Sequence, residues 1–226
     1  MQLQLVHTSF SPNHKTAVLT FQSDFFHFSA GQFLVLIAHI AGNKIVRSYS
    51  ISSTPQQLER EGTVSFIVKH VPEGLMSMHL SSMSIGDTID AMGPRGHLVD
   101  EGHHHHYLLI ATGSGLWPIW SIYQSLLESS RQIYYHFLYG ERTTDDLTSD
   151  RVQAQSDDPH LHTRLSQQTN KYHSGRIQAG LHAYMQHRET DNLTVFVCGQ
   201  PAMVDDVLDI LYHYGIPMTH IHHEKY

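Results

Sequence analysis

Four short segments carry residue types that can do chemistry. Arg47-Ser48-Tyr49-Ser50 lies in an apolar, β-branched stretch, so Arg47 and Tyr49 fall on one face of a strand and Ser48 and Ser50 on the other. A guanidinium fork matches a phosphate, and a phenol ring offers a flat surface to a heterocycle. The same four residues equally describe a surface strand with an ordinary ion pair. Gly74-Leu75-Met76-Ser77 opens a short helix. Free N–H groups at a helix start suit a pyrophosphate, and plain capping by Ser77 or a neighbour is the alternative. Ile110-Ala111-Thr112-Gly113-Ser114-Gly115-Leu116-Trp117-Pro118 runs from a buried strand through a glycine loop into a helix headed by proline. Such a loop at the carboxyl end of a strand admits a ligand to the backbone, or is simply a tight turn. In Phe196-Val197-Cys198-Gly199-Gln200-Pro201-Ala202-Met203-Val204 a second strand ends in a small-residue turn. It sets Cys198 at the same kind of edge, although a lone cysteine is also a common buried hydrophobe.

Two kinds of scaffold are needed to position these segments. Over the first hundred residues, strands are predicted at Leu3–Thr8, Thr16–Phe21, Phe33–His39, Ile45–Ile51, Thr63–Lys69 and Thr88–Met92, separated by Gly, Pro and Asn turns. Six short strands at that spacing predict a closed antiparallel barrel. Its one predicted helix lies near Glu73–Leu80, with Leu75, Met78 and Leu80 close to helical spacing. After Gly102 the pattern alternates. Strands are predicted at Tyr107–Ala111, Ile133–Tyr139, Leu193–Cys198 and Met218–Glu224, and helices from Pro118 to about Ser130, at Ile177–Gln186 and at Pro201–Tyr214. Strand and helix in alternation predict a doubly wound parallel sheet. The division is therefore an antiparallel β-barrel over residues 1–101 and an α/β domain over 102–226. Residues 148–172 are polar and read as a long irregular loop.

Composition narrows the class. With 40% hydrophobic and 15% charged residues the chain is a folded protein, and a formal charge of −7 argues against a nucleic-acid binder. No apolar run is long enough for a membrane span, and the N-terminus lacks a basic segment followed by an apolar stretch. One cysteine leaves no internal disulfide and no thiolate set for an iron–sulfur cluster. A cytoplasmic protein is expected.

Taken together and in order, these segments resemble the ferredoxin–NADP reductase superfamily nearly end to end. In the barrel the resemblance also covers Ala30-Gly31-Gln32-Phe33, Ile85-Gly86-Asp87 and Gly93-Pro94-Arg95-Gly96. Beyond it lie Leu138-Tyr139-Gly140-Glu141-Arg142, Asp146-Leu147, Cys198–Val204 and Ile221–Tyr226. The resemblance implies an FAD-binding barrel and an NAD(P)-binding α/β domain. Arg47 would contact the flavin pyrophosphate beside Ser48, and Tyr49 would pack on the flavin. Ser50 would lie near the flavin N5, and Gly74, Leu75, Met76 and Ser77 would complete the pyrophosphate site. Thr112, Gly113, Ser114 and Gly115 with Cys198, Gly199 and Met203 would flank the nicotinamide end of NAD(P)H. Tyr226 would stack on the isoalloxazine and yield its place to nicotinamide, and Glu224 would be an active-site carboxylate near Ser50 and Cys198. Thr163, Arg164 and Arg176 fall where NADPH-using relatives hold the 2′-phosphate, so NADPH is expected over NADH; a polar loop with solvated arginines is the equal alternative.

Two features depart from the family. Trp117 replaces a small residue before Pro118, either narrowing the nicotinamide pocket or packing within the helix. The His103-His104-His105-His106 run at the domain junction, with His220, His222 and His223 near the other end, can bind transition metals, but consecutive histidines do not all face one ion. No resident metal is expected. The resulting expectation is an oxidoreductase that takes hydride from NAD(P)H onto FAD. Its electrons would leave to a separate acceptor such as a ferredoxin or an oxygenase component. A free-flavin or ferric reductase is the second enzyme reading, and a flavin-binding electron-transfer or regulatory subunit without NAD(P)H activity is the reading from another class.

Overall fold

A computed structural model of the chain describes residues 1–11, 13–24, 26–143, 158–167, 173–186 and 192–226. It divides into two units, the first comprising Met1–Val99 with Trp120–Glu128, the second Asp100–Ile119 with Ser129–Tyr226.

The first unit contains the six expected strands: β1 (Gln2–Phe10), β2 (Thr16–Ser23), β3 (Phe33–Ile40), β4 (Asn43–Ser50), β5 (Thr63–Lys69) and β6 (Thr88–Arg95). They form one antiparallel sheet in the order β4-β3-β6-β1-β2-β5. The sheet closes where Ile51, just past β4, bridges Phe66 of β5, and Ser52 N–H donates to Ser65 O at 2.9 Å. Closure leaves one apolar interior, in which Leu3, Leu5, Phe21, Leu34, Leu36 and Phe66 are fully buried. Burying such side chains stabilises the unit by about 1.5–3 kcal/mol each.

The barrel carries a helix absent from the sequence reading. Helix α1 (Pro55–Glu61) starts at Thr54, whose Oγ1 accepts from Gln57 N–H at 3.1 Å. Pro55 stands at the first helical position and Gly62 ends the helix at φ 66°. Thr54 Oγ1 also donates to Glu128 Oε2 at 2.8 Å, and Ser121 Oγ donates to Ser53 O at 2.6 Å. These bonds fix Trp120–Glu128 to the barrel within the first unit. Helix α2 (Leu75–Ser82) is where the sequence placed a helix, but its buried residues are Met76, Ser77 and Leu80. Leu75 and Met78, expected to face the core with Leu80, are 54% and 48% exposed. The helix begins two residues later than predicted, and at the helical period of about 3.6 residues Leu80 shares a face with Met76 and Ser77, whereas Leu75 and Met78 fall on the other.

The second unit is a parallel sheet in the order β10-β9-β8-β7-β11-β12. Its strands are β7 (His106–Thr112), β8 (Tyr134–Glu141), β9 (Leu161–Leu165), β10 (His173–Ser174), β11 (Leu193–Gly199) and β12 (Ile221–Lys225). Helix α3 (Leu116–Glu128) begins in this unit with Leu116–Ile119, and α4 (Ile177–Met185) and α5 (Pro201–His213) follow β10 and β11. Every residue of β11 is buried, as a strand covered on both faces requires. Leu108, Ile110, Val195 and Val197 join Leu181 of α4 and Val204 and Val207 of α5 in one apolar cluster. The sequence reading held 148–172 to be irregular; β9 lies within it, pairing Thr163 with Tyr139 and Arg164 with Gly140. Its charged and polar residues hid the alternation of Leu161, Thr163 and Leu165, all buried. Asp146-Leu147 lies outside the described residues.

At the amino edge of this sheet, Arg131 binds three groups at once. Its Nη1 donates to Asp100 Oδ2 at 3.0 Å and its Nη2 to His104 O at 2.8 Å and to the Tyr107 hydroxyl. Tyr107 is fully buried, and burial, then the Asp100 carboxylate, pushes its phenol up to about 12. Arg131→Met is expected to lower stability by about 2 kcal/mol, because it leaves a half-buried carboxylate unpaired. Arg131→Lys would recover only part, since one ammonium cannot span three acceptors. Chemical denaturation of the three proteins checks this, and equal midpoints would refute it.

Candidate functional site

In the barrel, β4 is a strand because it pairs residue for residue with β3, setting Leu34 opposite Tyr49 and Leu36 opposite Arg47. Arg47 and Tyr49 therefore share a face, and Ser48 and Ser50 the other, as the alternation predicts. Tyr49 packs its ring against the barrel core, and burial pushes its phenol up to about 12, with the Arg47 cation opposing. Arg47 itself is exposed and donates from Nη1 to Val46 O at 2.8 Å. Its exposed guanidinium, on the same strand face as the Tyr49 ring, is open to an anionic ligand.

The start of α2 supplies backbone donors. Gly74 is its cap and has no side chain to satisfy the amides of Leu75, Met76 and Ser77. Ser77 Oγ turns back instead, lying 3.0 Å from Gly74 O and accepting from Val71 N–H at 3.3 Å. A Cβ on Gly74 would stand 2.7 Å from Ser77 Oγ and 3.0 Å from Val71 Cβ, so only glycine fits. The Ser77 hydroxyl thus shapes the turn and leaves the amides to another partner.

In the second unit, β7 and β11 run parallel with Ala111 opposite Cys198, so the two small-residue loops leave the sheet at one edge. The first is a 3₁₀ turn, Gly113–Gly115, and α3 begins at Leu116. Pro118 is therefore the third residue of its helix rather than its head, still within the first turn where amides lack partners. A Cβ on Gly115 would collide with Cys198 O, and one on Gly199 with Thr112 Oγ1 and with Met203 Cε at 2.5 Å. Thr112 Oγ1 is buried with no hydrogen-bond partner among the described residues. A buried hydroxyl beside bare backbone suits a polar, planar ligand end. Trp117 is 4% exposed, so it is buried rather than presented at the surface.

Cys198, Glu224 and Tyr226 come together at this edge. Glu224 pairs in register with Cys198 on β12, and Tyr226 N–H donates to Gly199 O at 3.1 Å. Cys198 is fully buried. Burial, then the Glu224 carboxylate, pushes its thiol well up, while hydrogen bonds with the Tyr226 side chain and the Gly199 backbone pull the other way. Ser50 belongs to the first unit. Asp205 escaped the sequence reading: its Oδ1 lies 2.5 Å from Lys225 Nζ, tying α5 to the residue before Tyr226. Nothing in local spacing announces a pair 20 residues apart.

Of the coenzyme candidates, Thr163 is buried in β9. Arg164 runs along α4, where a Cβ on Gly180 would collide with its Nε, and burial pulls its pKa down. Arg176 is the exposed cap residue of α4. The histidines also separate. The His104 ring lies 4.5 Å from His220, and His222 stacks on Phe196 at 4.9 Å. Burial, then His220, lowers the His104 pKa, and burial likewise lowers that of His222.

Comparison with known proteins follows this division. The oxidoreductase FAD-binding domain family matches residues 3–99 and the oxidoreductase NAD-binding domain family matches residues 109–209. The chain is 29% identical over 213 residues to ferredoxin–NADP reductase B of Sorangium cellulosum, covering 89% of this chain and 86% of that one. It is 30% identical over 212 residues to the propane 2-monooxygenase reductase component of Rhodococcus jostii, but spans only 56% of that protein's length. In fold it matches a Neisseria gonorrhoeae ferredoxin NADP+ reductase solved with FAD and NADP, at a TM-score of 0.82 and 23% identity over 100% of this chain and 98% of that one.

The state of Cys198 gives a test. A raised pKa keeps the thiol protonated at pH 8, and burial keeps reagents away. A disulfide reagent at pH 8 should modify less than about a tenth of the folded protein in the time that modifies all of it in guanidinium. Rapid stoichiometric reaction of the folded chain would show that the thiol is neither buried nor neutral.

Proposed function

Since the chain belongs to the ferredoxin reductase-like superfamily, we propose that it is an FAD-dependent NAD(P)H oxidoreductase that passes electrons to a separate acceptor. The observation that carries this is the carboxyl edge of the second sheet, bare of Cβ atoms at Gly115 and Gly199, within a match to an NAD-binding domain. The barrel over 1–101 is the FAD domain and 102–226 the NAD(P)H domain.

The residues fit the groups they would hold. Arg47 and the amides of Leu75, Met76 and Ser77 would take the two charges of a pyrophosphate, with Ser48 beside them. Tyr49 would give the isoalloxazine a fixed surface, and the Ser50 hydroxyl would donate a hydrogen bond to the flavin N5. Thr112, Gly113, Ser114, Gly115, Gly199 and Met203 would receive the nicotinamide end, and Tyr226 would give way to it. Cys198 and Glu224 would border the same ring. When bound, FAD takes up the hydride of NAD(P)H and releases electrons to the acceptor. The protein contributes orientation and fixed dipoles.

NADPH is the preferred donor in this reading, through Arg176 at the exposed start of α4 and Arg164 beneath it, next to Thr163. The protein acts in the cytoplasm, consistent with one unpaired cysteine; among the described residues no helix is long and apolar enough to cross a membrane. The acceptor is a ferredoxin or an oxygenase component. A free-flavin or ferric reductase is favoured by one observation, the charge of −7, which gives no long-range attraction to an acidic ferredoxin. Turnover without any protein acceptor distinguishes the two.

Anaerobic visible spectra test the central step. The protein with FAD should bleach on adding NADPH, and a colourless protein that refuses added FAD would refute the assignment. Arg47→Ala should weaken FAD binding about 10-fold, as loss of a charge-assisted hydrogen bond predicts. Arg176→Ala and Arg164→Ala should each lower kcat/KM for NADPH about 10-fold while leaving NADH nearly unchanged. Equal losses with both coenzymes would end the case for phosphate recognition.

A further inference from the structure

The His103–His106 run does not behave as four equivalent side chains. Two are committed elsewhere. His104 turns inward, its Nδ1 lying 2.8 Å from Thr194 Oγ1 and its ring against His220, and His106 stacks on Tyr134 at 4.9 Å and 17°. His103 and His105, two residues apart, are exposed and make neither of these ring contacts. Both border a cleft of about 360 Å³ lined by the four histidines with Gln132, Tyr134 and Asn192.

Each of these two imidazoles has one nitrogen already oriented. His105 Nδ1 lies 3.1 Å from the carbonyl oxygen of Gln132, which can only accept, so Nδ1 carries the proton and Nε2 the lone pair. His103 Nε2 lies 3.2 Å from Glu101 Oε2; in the neutral ring this places the proton on Nε2 and the lone pair on Nδ1. A backbone carbonyl behind one histidine and a carboxylate behind the next is the outer-shell arrangement that fixes the tautomer of metal-binding imidazoles and raises their basicity. Neutral imidazole pairs prefer borderline divalent ions of the late first row.

We propose that His103 and His105 form an open site for a divalent transition-metal ion such as Zn²⁺ or Ni²⁺. Among the described residues no three His, Cys, Asp or Glu side chains converge on one point. The ion therefore keeps water on its remaining positions and exchanges readily, unlike a closed structural zinc. The site lies at the amino edge of β7, and the seven residues of that strand set it about 20 Å from the Cys198 edge. It is independent of hydride transfer, and its test does not require the redox reading to be correct.

The test uses the full chain without any affinity tag, stripped with a chelator and titrated with ZnCl₂ or NiCl₂ by calorimetry and by thermal melting. A prearranged site binds the folded state preferentially, so one ion per chain should saturate and Tm should rise by on the order of 5 °C at a large excess over Kd. A loose histidine run binds the unfolded chain equally well and gives no rise. The pair His103→Asn and His105→Asn should abolish both signals. Glu101→Gln should weaken binding about 10-fold, as loss of an outer-shell partner does. His7→Asn, exposed in the other unit, should change neither. Metal uptake without a Tm rise, binding that survives the double substitution, or no binding at all would each overturn the proposal.

Discussion

The second unit depends on one steric fact: the ends of β7 and β11 approach too closely for any side chain to stand between them. Gly115 meets the Cys198 carbonyl, and Gly199 meets Thr112 Oγ1. The approach follows from sheet order. The chain lays β8, β9 and β10 on one side of β7, then returns to place β11 and β12 on the other. The two loops thus diverge from neighbouring strands at the point of reversal, where open α/β sheets bind ligands. Filling that gap with a methyl group would separate the strands or close the cleft. The glycines answer a packing constraint, and the binding edge is its consequence.

The barrel solves a different problem. The Ile51–Phe66 bridge joins the two outer strands at one end, and the core gives Tyr49 an apolar backing. Arg47, on the same face, keeps its charge in water. An exposed cation incurs no desolvation until a ligand arrives, whereas a buried unpaired one would destabilise the fold by several kcal/mol. The same economy shows at α2, where Gly74 offers the first-turn amides no side-chain cap and the Ser77 hydroxyl bonds to its own turn.

How much of this was legible in the sequence depends on how local the cause was. Strands β1 to β6 were readable because each couples an apolar repeat to a turn at its end. The arrangement of Arg47, Ser48, Tyr49 and Ser50 followed from strand period alone. Helix α1 has Thr54, Pro55 and Gly62 as cap, first residue and stop, but Thr-Pro between two strands reads equally as a turn. Strand β9 was missed because His162, Thr163 and Arg164 are polar, and its strand form comes from pairing with β8. The register of Glu224 against Cys198, the Arg131 network and the Asp205–Lys225 pair join distant segments. No window of sequence contains them. The family resemblance supplied what spacing could not, by placing Glu224 near Cys198; that Tyr226 also reaches Cys198 and Gly199 comes from the structure.

That partnership limits what Cys198 can do. A thiolate there would lose hydration and face the Glu224 carboxylate, two effects of the same sign. Both effects disfavour the thiolate, and with it the nucleophilic or disulfide chemistry that needs it. What remains is a small, polarizable group that fills the edge without blocking it. The carboxylate beside it keeps a local field that favours positive charge. A nicotinamide ring becomes cationic as it gives up hydride, so in the proposed reaction that field acts in the forward direction. In the proposed reaction Cys198 would leave room for the ring, and Glu224, in register with it on the adjacent strand, would favour the charge the ring acquires.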